Sequence, residues 1–180
     1  LELQEKVADL AAENISLNKL EAQVRIVQGD LRNPPPESTG ERFDWVVSNP
    51  PYHKATGGPV SENPILAGAR FEIACTLEEV IAAAARLVRE NGQVALVHLP
   101  ERLPDLFVLF RKYRLEPKRL CLVYPSPGMP PHRVLLEGRK GARSGLKVFK
   151  PFFLHSASLK TDEKFSPEML EVYRTGSFPA

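Results

Sequence analysis

Two cysteines in 180 residues are too few for a disulfide framework or a cysteine-ligated zinc site. Cys75 and Cys121 both stand among apolar neighbours and read as reduced core thiols. Histidine is scarce too: there are four, and no His, Asp and Glu share metal-ligand spacing, so no metal site is expected. No apolar run approaches the roughly 20 residues of a membrane span, and no basic-then-apolar leader opens the sequence. A soluble, untargeted, cytoplasmic protein is the expectation. Internal repeats and low-complexity tracts are missing. So is an initial methionine: "LELQEK" enters directly on what reads as the end of a strand, which suggests a fragment. What is present, 43% apolar and 26% charged residues, suits one domain with a sizeable core.

The residues alternate between two periodicities. Val7, Leu10, Ala11, Ile15 and Leu17 suit a helix over 7–20. "VRIVQGD" (24–30) is a short β-rich run stopped by glycine, and "FDWVVS" (43–48) reads as a buried strand. Thr76 and Glu79 form a T-x-x-E capping box ahead of an alanine-rich helix, predicted to reach about Glu90 and to stop at Asn91-Gly92. "QVALVHL" follows as a strand, 106–113 as a helix, "KRLCLVYP" and "HRVLLEGRK" as strands, and "LKVFKPFFL" as a possible last one. This alternation predicts an α/β domain with a largely parallel sheet. Ligands of such sheets gather at the carboxyl ends of strands.

That rule separates two similar stretches. Asn33-Pro34-Pro35-Pro36 has no apolar strand just ahead of it and runs on into Glu37-Ser38-Thr39-Gly40, which predicts a solvated connection. Asn49-Pro50-Pro51-Tyr52 follows Trp45-Val46-Val47 closely and therefore sits at a strand's carboxyl end. At about 5% usage per residue type, that tetrapeptide arises by chance in roughly one chain of this length per thousand. The four residues have a chemical reason to stand together. An exocyclic amine on a flat ring is a poor nucleophile because its lone pair is delocalised. It needs acceptors that hold both N–H groups and favour the pyramidal transition state. The Asn49 side-chain oxygen and the Pro50 carbonyl supply two, in a loop whose backbone the prolines fix. Tyr52 can stack on the ring and set the direction of attack.

On these residues the chain resembles the S-adenosylmethionine-dependent methyltransferases of the Rossmann-like class, in the amino-methylating group that carries an Asn-Pro-Pro-Tyr loop. The likeness is strongest to the branch related to bacterial valine-tRNA adenine N6-methyltransferases. It runs from Leu1 to about Pro167 through "LELQEKVADLAAEN", "QGDL", "FDWVVSNPPY", "ARFEIACTLEEVI", "HLPERL", "PKRLCLVYP" and "EGRKGARSGLKV". The resemblance implies a single Rossmann-like methyltransferase sheet with flanking helices over 1–180, with about 168–180 as a tail. It implies S-adenosylmethionine as cofactor, with Glu2 on the ribose hydroxyls beside Leu3, Asp30 accepting from the adenine amine, and the Leu31 N–H reading the adenine ring. Asn49, Pro50, Pro51 and Tyr52 would be catalytic, with Asn49 also beside the cofactor. The first strand, glycine-rich loop and helix of the family pattern are not in these 180 residues. The expected domain is therefore truncated at its N-terminus, and the missing strand would lie between those ending at Glu2 and Asn49. Self-association through the unpaired edges is expected.

Charge points to the substrate. Residues 111–150 hold eleven Lys or Arg against Glu116 and Glu137, an excess of +9 in a chain whose net charge is +2, so the remainder carries −7. Such asymmetry suits a phosphate backbone, with "GRKGARSG" as a basic loop. Tyr52, His53, Lys54, Arg139, Lys140 and Arg143 are the candidate contacts to tRNA or another structured RNA. His53 and His132 are read as solvated side chains, and His98 and His155 as structural. The activity expected is N6 methylation of an adenine in tRNA. Two alternatives stay open: a non-catalytic, RNA-binding or inert relative, and methylation of a glutamine amide in a protein.

Overall fold

The computed structural model describes residues 1–35, 42–50, 52, 75–156 and 165–178. Its centre is a mixed sheet. Strand β1 (Phe43–Ser48) lies parallel to β2 (Val88–His98) at one edge, β4 (Arg133–Lys140) pairs antiparallel with β2 and with β3 (Leu115–Tyr124), and β3 carries the two short parallel strands β5 (Lys147–Val148) and β6 (Phe152–Phe153). The sheet is thus less parallel than the alternation of elements predicts. The reason is the short turn between β3 and β4, which brings the chain straight back as a hairpin and leaves no room for a crossover helix. Pro151 divides the last predicted strand in two, because proline has no N–H to donate to a ladder.

One face of the sheet is covered by α2 (Leu77–Leu87) and α3 (Leu103–Lys112). Along β2, Val94, Leu96 and His98 alternate inward, and along β4, Val134, Leu136 and Gly138 do the same. They meet Ile81 of α2 and Leu106 and Phe110 of α3, all fully buried, each contributing about 1.5–3 kcal/mol by leaving water. Gly138 is required there: a Cβ on it would lie 2.5 Å from Phe110 Cδ1. The capping box opens α2 as predicted, with Thr76 Oγ1 accepting from the Glu79 N–H and the Glu79 carboxylate accepting from the Thr76 N–H. The helix ends three residues earlier than predicted. Val88 turns to extended backbone and starts β2, and Asn91, at a φ of 62°, lies inside that strand where the register with β1 shifts. Asn91-Gly92 therefore marks a bulge rather than a helix stop, since both bulges and helix ends use left-handed backbone.

The opposite face is covered at one end only. There Cys121, Val123 and Phe152 are buried, with Met169 and Val172 of α4 (Pro167–Thr175) packed on them. Both cysteines are thiols beside apolar side chains, and burial pushes the Cys121 thiol's pKa up. Among the described residues no element covers the rest of this face, which corrects the reading of β1 as a buried strand: Phe43, Trp45 and Val47 are exposed, Val47 by 74%. Among the described residues β1 has one neighbouring strand, so half its backbone groups pair with no ladder. No described helix is long and apolar enough to cross a membrane.

Helix α1 (Glu5–Leu17) starts two residues earlier and ends three earlier than predicted, and turns Val7, Ala8, Ala11 and Ile15 inward while Leu10 and Leu17 stay exposed. The β-rich run at 24–30 forms a single parallel bridge, Glu2 to Gln28. On the carboxyl side of Glu2 the chain turns at once into the cap of α1 at Gln4, which stops the ladder there.

Candidate active site

Three strand ends meet at one end of the sheet. The carboxyl ends of the parallel strands β1 and β2 leave Asn49 and His98 side by side, and the antiparallel pairing His98 to Val134 brings the first residue of β4, Arg133, next to them. Tyr52 closes over this row. Its ring meets the ring of buried His98 at right angles, 5.5 Å between centroids. Its hydroxyl donates to Asn49 Oδ1, and the Arg133 guanidinium lies over its face at 4.5 Å. Pro50 is buried beneath exposed Asn49, so the loop turns on a packed proline while presenting its carboxamide. His98 Nδ1 accepts from the Leu99 N–H at 2.8 Å, which leaves Nε2 as the ring's N–H. Pro51, His53 and Lys54 lie outside the described residues. A groove of about 700 Å³ runs from Asn49 across the open sheet face, past Val47, Ala95, Val97 and Cys121 to Phe178.

The acidic residues form a second row. Because Glu2 bridges Gln28 in parallel, Asp30, two residues further on, stands at the same end as Glu2. Glu2 Oε1 accepts from the Gln4 N–H at 2.9 Å, while Leu3 is exposed. The Asp30 carboxylate is gripped by Arg32, whose Nε reaches both oxygens at 3.0 and 2.9 Å and whose backbone N–H adds a bond at 2.9 Å. The hydrogen bond to Arg32 holds this carboxyl below its ordinary pKa. The loop is tied to the main sheet through Leu31, which packs on the α2–α3 core, and through Arg86 of α2, which donates to the carbonyls of Leu31 and Arg32 at 3.1 Å each.

The look-alike stretch belongs to this loop. Asn33 N–H closes a turn onto the Asp30 carbonyl, and Pro35 covers Gly29 so closely that a Cβ there would lie 2.7 Å from it. Asn33 itself is exposed and follows no strand, as predicted for a connection; Pro36 lies outside the described residues.

The basic candidates fall elsewhere. Arg139 and Lys140 are at the far end of β4, six to seven residues from Arg133 and so about 20 Å from the Asn49 row. Arg139 Nε donates to the Asn91 carbonyl, and Lys140 Nζ to the carbonyls of Ala85 and Val88 at 2.6 and 3.2 Å, closing the end of α2. Arg143 is exposed beyond them. His132 is half-buried rather than solvated, with Nδ1 out of reach of any described partner, and His155 stacks on Phe165. The two neighbours of Tyr52 that sequence reasoning passed over are His98 and Arg133. The strand-end rule that singled out Asn49 reaches His98 as well; Arg133 opens an antiparallel strand, and only the topology brings it here. Among the described residues no group of three His, Cys, Asp or Glu could hold a metal.

Residues 1–109 match the family described as Methyltransferase small domain. The chain belongs to that family. This small methyltransferase domain is 32% identical over 141 residues to a tRNA1(Val) (adenine(37)-N6)-methyltransferase of Porphyromonas gingivalis, over 77% of the chain and 54% of the relative. It is 31% identical over 138 residues to the protein of that name from Bacteroides fragilis, over 76% and 56%. The chain spans about half the length of these curated relatives. Among solved structures, a predicted O-methyltransferase from Agrobacterium tumefaciens superposes with a TM-score of 0.71 at 19% identity, covering 99% of this chain and 77% of that one. The M. jannaschii tRNA m1G37 methyltransferase gives 0.51 at 18% identity, over 78% and 36%. The fold is thus that of the Rossmann-like methyltransferases, α/β with a mixed sheet and flanking helices.

Proposed function

We propose that this domain serves transfer of a methyl group from S-adenosylmethionine to the N6 amine of an adenine in tRNA. The observation that carries the reading is the pairing of Asn49 and Tyr52: a side-chain acceptor and an aromatic plane, joined by a hydrogen bond, at the carboxyl end of a parallel strand. The curated relatives carry that activity in their names, which supports the same substrate class here.

The donor set fits the cofactor. Two carboxylates, Glu2 and Asp30, stand at one end of a bridged parallel pair, and acceptors are what a ribose diol and an adenine amine require. Glu2, with Leu3 beside it, would hold the hydroxyls, and Asp30 with the Leu31 N–H the adenine; Asn49 would lie beside the cofactor's methyl group. When bound, S-adenosylmethionine supplies an electrophilic methyl group. The chain's own contribution is to the nucleophile. Asn49 Oδ1 and the Pro50 carbonyl accept the two N–H bonds of the target amine and draw its nitrogen towards the pyramidal geometry of the transition state. Tyr52 holds the ring plane, and a proline at position 51 would restrict the backbone between them. No base is needed before attack, because the amine becomes acidic only once alkylated.

His53 and Lys54 would flank the target base. Arg139 and Arg143 would meet RNA backbone far from it, whereas Lys140 serves the fold. The edge of β1 that no described strand pairs suits pairing with a second copy, which light scattering after size exclusion tests: a monodisperse monomer at all concentrations refutes it. For the function itself the test is single-turnover methyl transfer to tRNA. Asn49→Ala is expected to slow transfer about a hundredfold or more with RNA affinity little changed. Asn33→Ala is expected to leave the rate alone, and an equal loss in both variants would refute the assignment.

A further inference from the structure

We propose that Arg133 is a positioning residue that fixes the plane of Tyr52, so that the other face of the ring receives the target base; this rests on the reading of Tyr52 as a base platform. Tyr52 is held at three points: its hydroxyl by Asn49 Oδ1, its ring by the perpendicular His98 ring, and one face by the guanidinium 4.5 Å from the centroid. A guanidinium is planar and weakly hydrated, so it stacks on an aromatic face where an ammonium only points at it.

Arg133 is also unable to drift. Its backbone is held in β4 opposite Val123, and its Nη1 donates to the His132 carbonyl at 2.6 Å. Among the described residues no carboxylate pairs with it, so the ring and that carbonyl are its partners. It is the one member of the basic run 111–150 that touches the Asn49–Tyr52 pair among the described residues. A cation backing one face directs a base to the other, with its amine then towards Asn49. Removing the guanidinium releases the ring to turn about its side-chain bonds, and base stacking suffers before RNA affinity does.

The test uses the full chain and a single-stranded oligoribonucleotide carrying 2-aminopurine, whose fluorescence is quenched when it stacks on an aromatic ring. Quenching at saturation is expected from the wild-type chain and is expected to vanish in Tyr52→Ala. Arg133→Gln is expected to retain affinity within about twofold while the saturating quench falls about threefold or more. Arg133→Lys, which keeps the charge without the plane and is the milder change should the Gln variant fold poorly, is expected to fall in between. Wild-type quenching in both Arg133 variants overturns the inference. So does unchanged quenching with a salt slope of binding lowered by about one, which would make Arg133 a phosphate contact. If the wild-type chain neither binds nor quenches, or Tyr52→Ala quenches as it does, the platform reading fails and takes the inference with it.

Discussion

Lys140 separates two meanings of a basic residue, and its replacement by alanine reads out which one holds. Its ammonium donates to the carbonyls of Ala85 and Val88 at 2.6 and 3.2 Å, with a Glu90 oxygen 3.8 Å away, and its side chain is 15% exposed. It therefore closes the carboxyl end of α2, where the helix leaves carbonyls without internal partners. A hydrogen bond from a charged donor is worth about 1.5–3 kcal/mol and a cation at a helix end about 0.3–1 kcal/mol. Water can reach part of the vacated site and recover some of that sum, which leaves an expected loss of about 2 kcal/mol. At about 2–4 °C per kcal/mol for a chain of this length, Lys140→Ala should melt about 4–8 °C lower. The assay is thermal unfolding followed by circular dichroism, beside RNA binding titrated at several salt concentrations. Arg143→Ala is the control: an exposed side chain, expected to change stability by no more than about 0.5 kcal/mol. A Lys140→Ala variant that melts within about 1 °C of wild type while its RNA salt slope falls by about one would refute the reasoning and return Lys140 to the nucleic-acid surface.

Other outcomes follow from the same geometry. Tyr52→Phe should slow methyl transfer by about tenfold at most, because a neutral hydrogen bond to Asn49 is worth about 0.5–1.5 kcal/mol, whereas Tyr52→Ala also loses stacking worth about 1–3 kcal/mol; single-turnover rates rank the two. Arg32→Ala uncovers the Asp30 acceptors and should tighten S-adenosylmethionine binding severalfold by calorimetry, and weaker binding would mean that Arg32 itself touches the cofactor. Gly138→Ala drives a methyl group into Phe110 and should cost about 1–3 kcal/mol in urea unfolding. The carboxyls of Glu79 and Glu78 are held below their ordinary pKa, Glu79 by hydrogen bonds from Thr76 and Glu78 by those from Lys112 and Tyr113. Their contribution is present at neutral pH and lost as pH falls through the depressed folded values, below the ordinary carboxylate range. Glu79→Gln should flatten that acid limb in melts at a series of pH values, and an unchanged limb would argue against the capping box as its source.

Local signals were legible in the sequence where the chain decides its own geometry. The Thr76–Glu79 box and the strand ahead of Asn49 each act within a few residues, and each appears where expected. Burial of β1 was not legible, because "FDWVVS" carries the same residues whether its outer face meets a helix or solvent; what decides is which element lies opposite. Asn91-Gly92 misled for a related reason, since left-handed backbone ends a helix and also makes a bulge. The basic run 111–150 looked like one surface. In the fold it is wound through α3, three strands and their turns, which sends Arg133 to one end of β4 and Arg139 and Lys140 to the other.

That separation bears on how the two rows of the site become one. Among the described residues the Glu2–Gln28 bridge shares no ladder with β1, so sheet pairing does not position the acidic loop against Asn49. The connection runs through α2 instead. This helix packs its apolar side on β1 and β2 and sends Arg86, from its last turn, to the carbonyls of Leu31 and Arg32. Two hydrogen bonds and the packing of Leu31 are modest beside a strand ladder, so the acidic row is expected to open at lower free energy than the Asn49 row. Arg86→Ala should raise hydrogen exchange across 28–33 while leaving β2 and β4 protected. Equal deprotection of both rows would instead mean that they unfold as a unit, and that α2 is not the hinge between them.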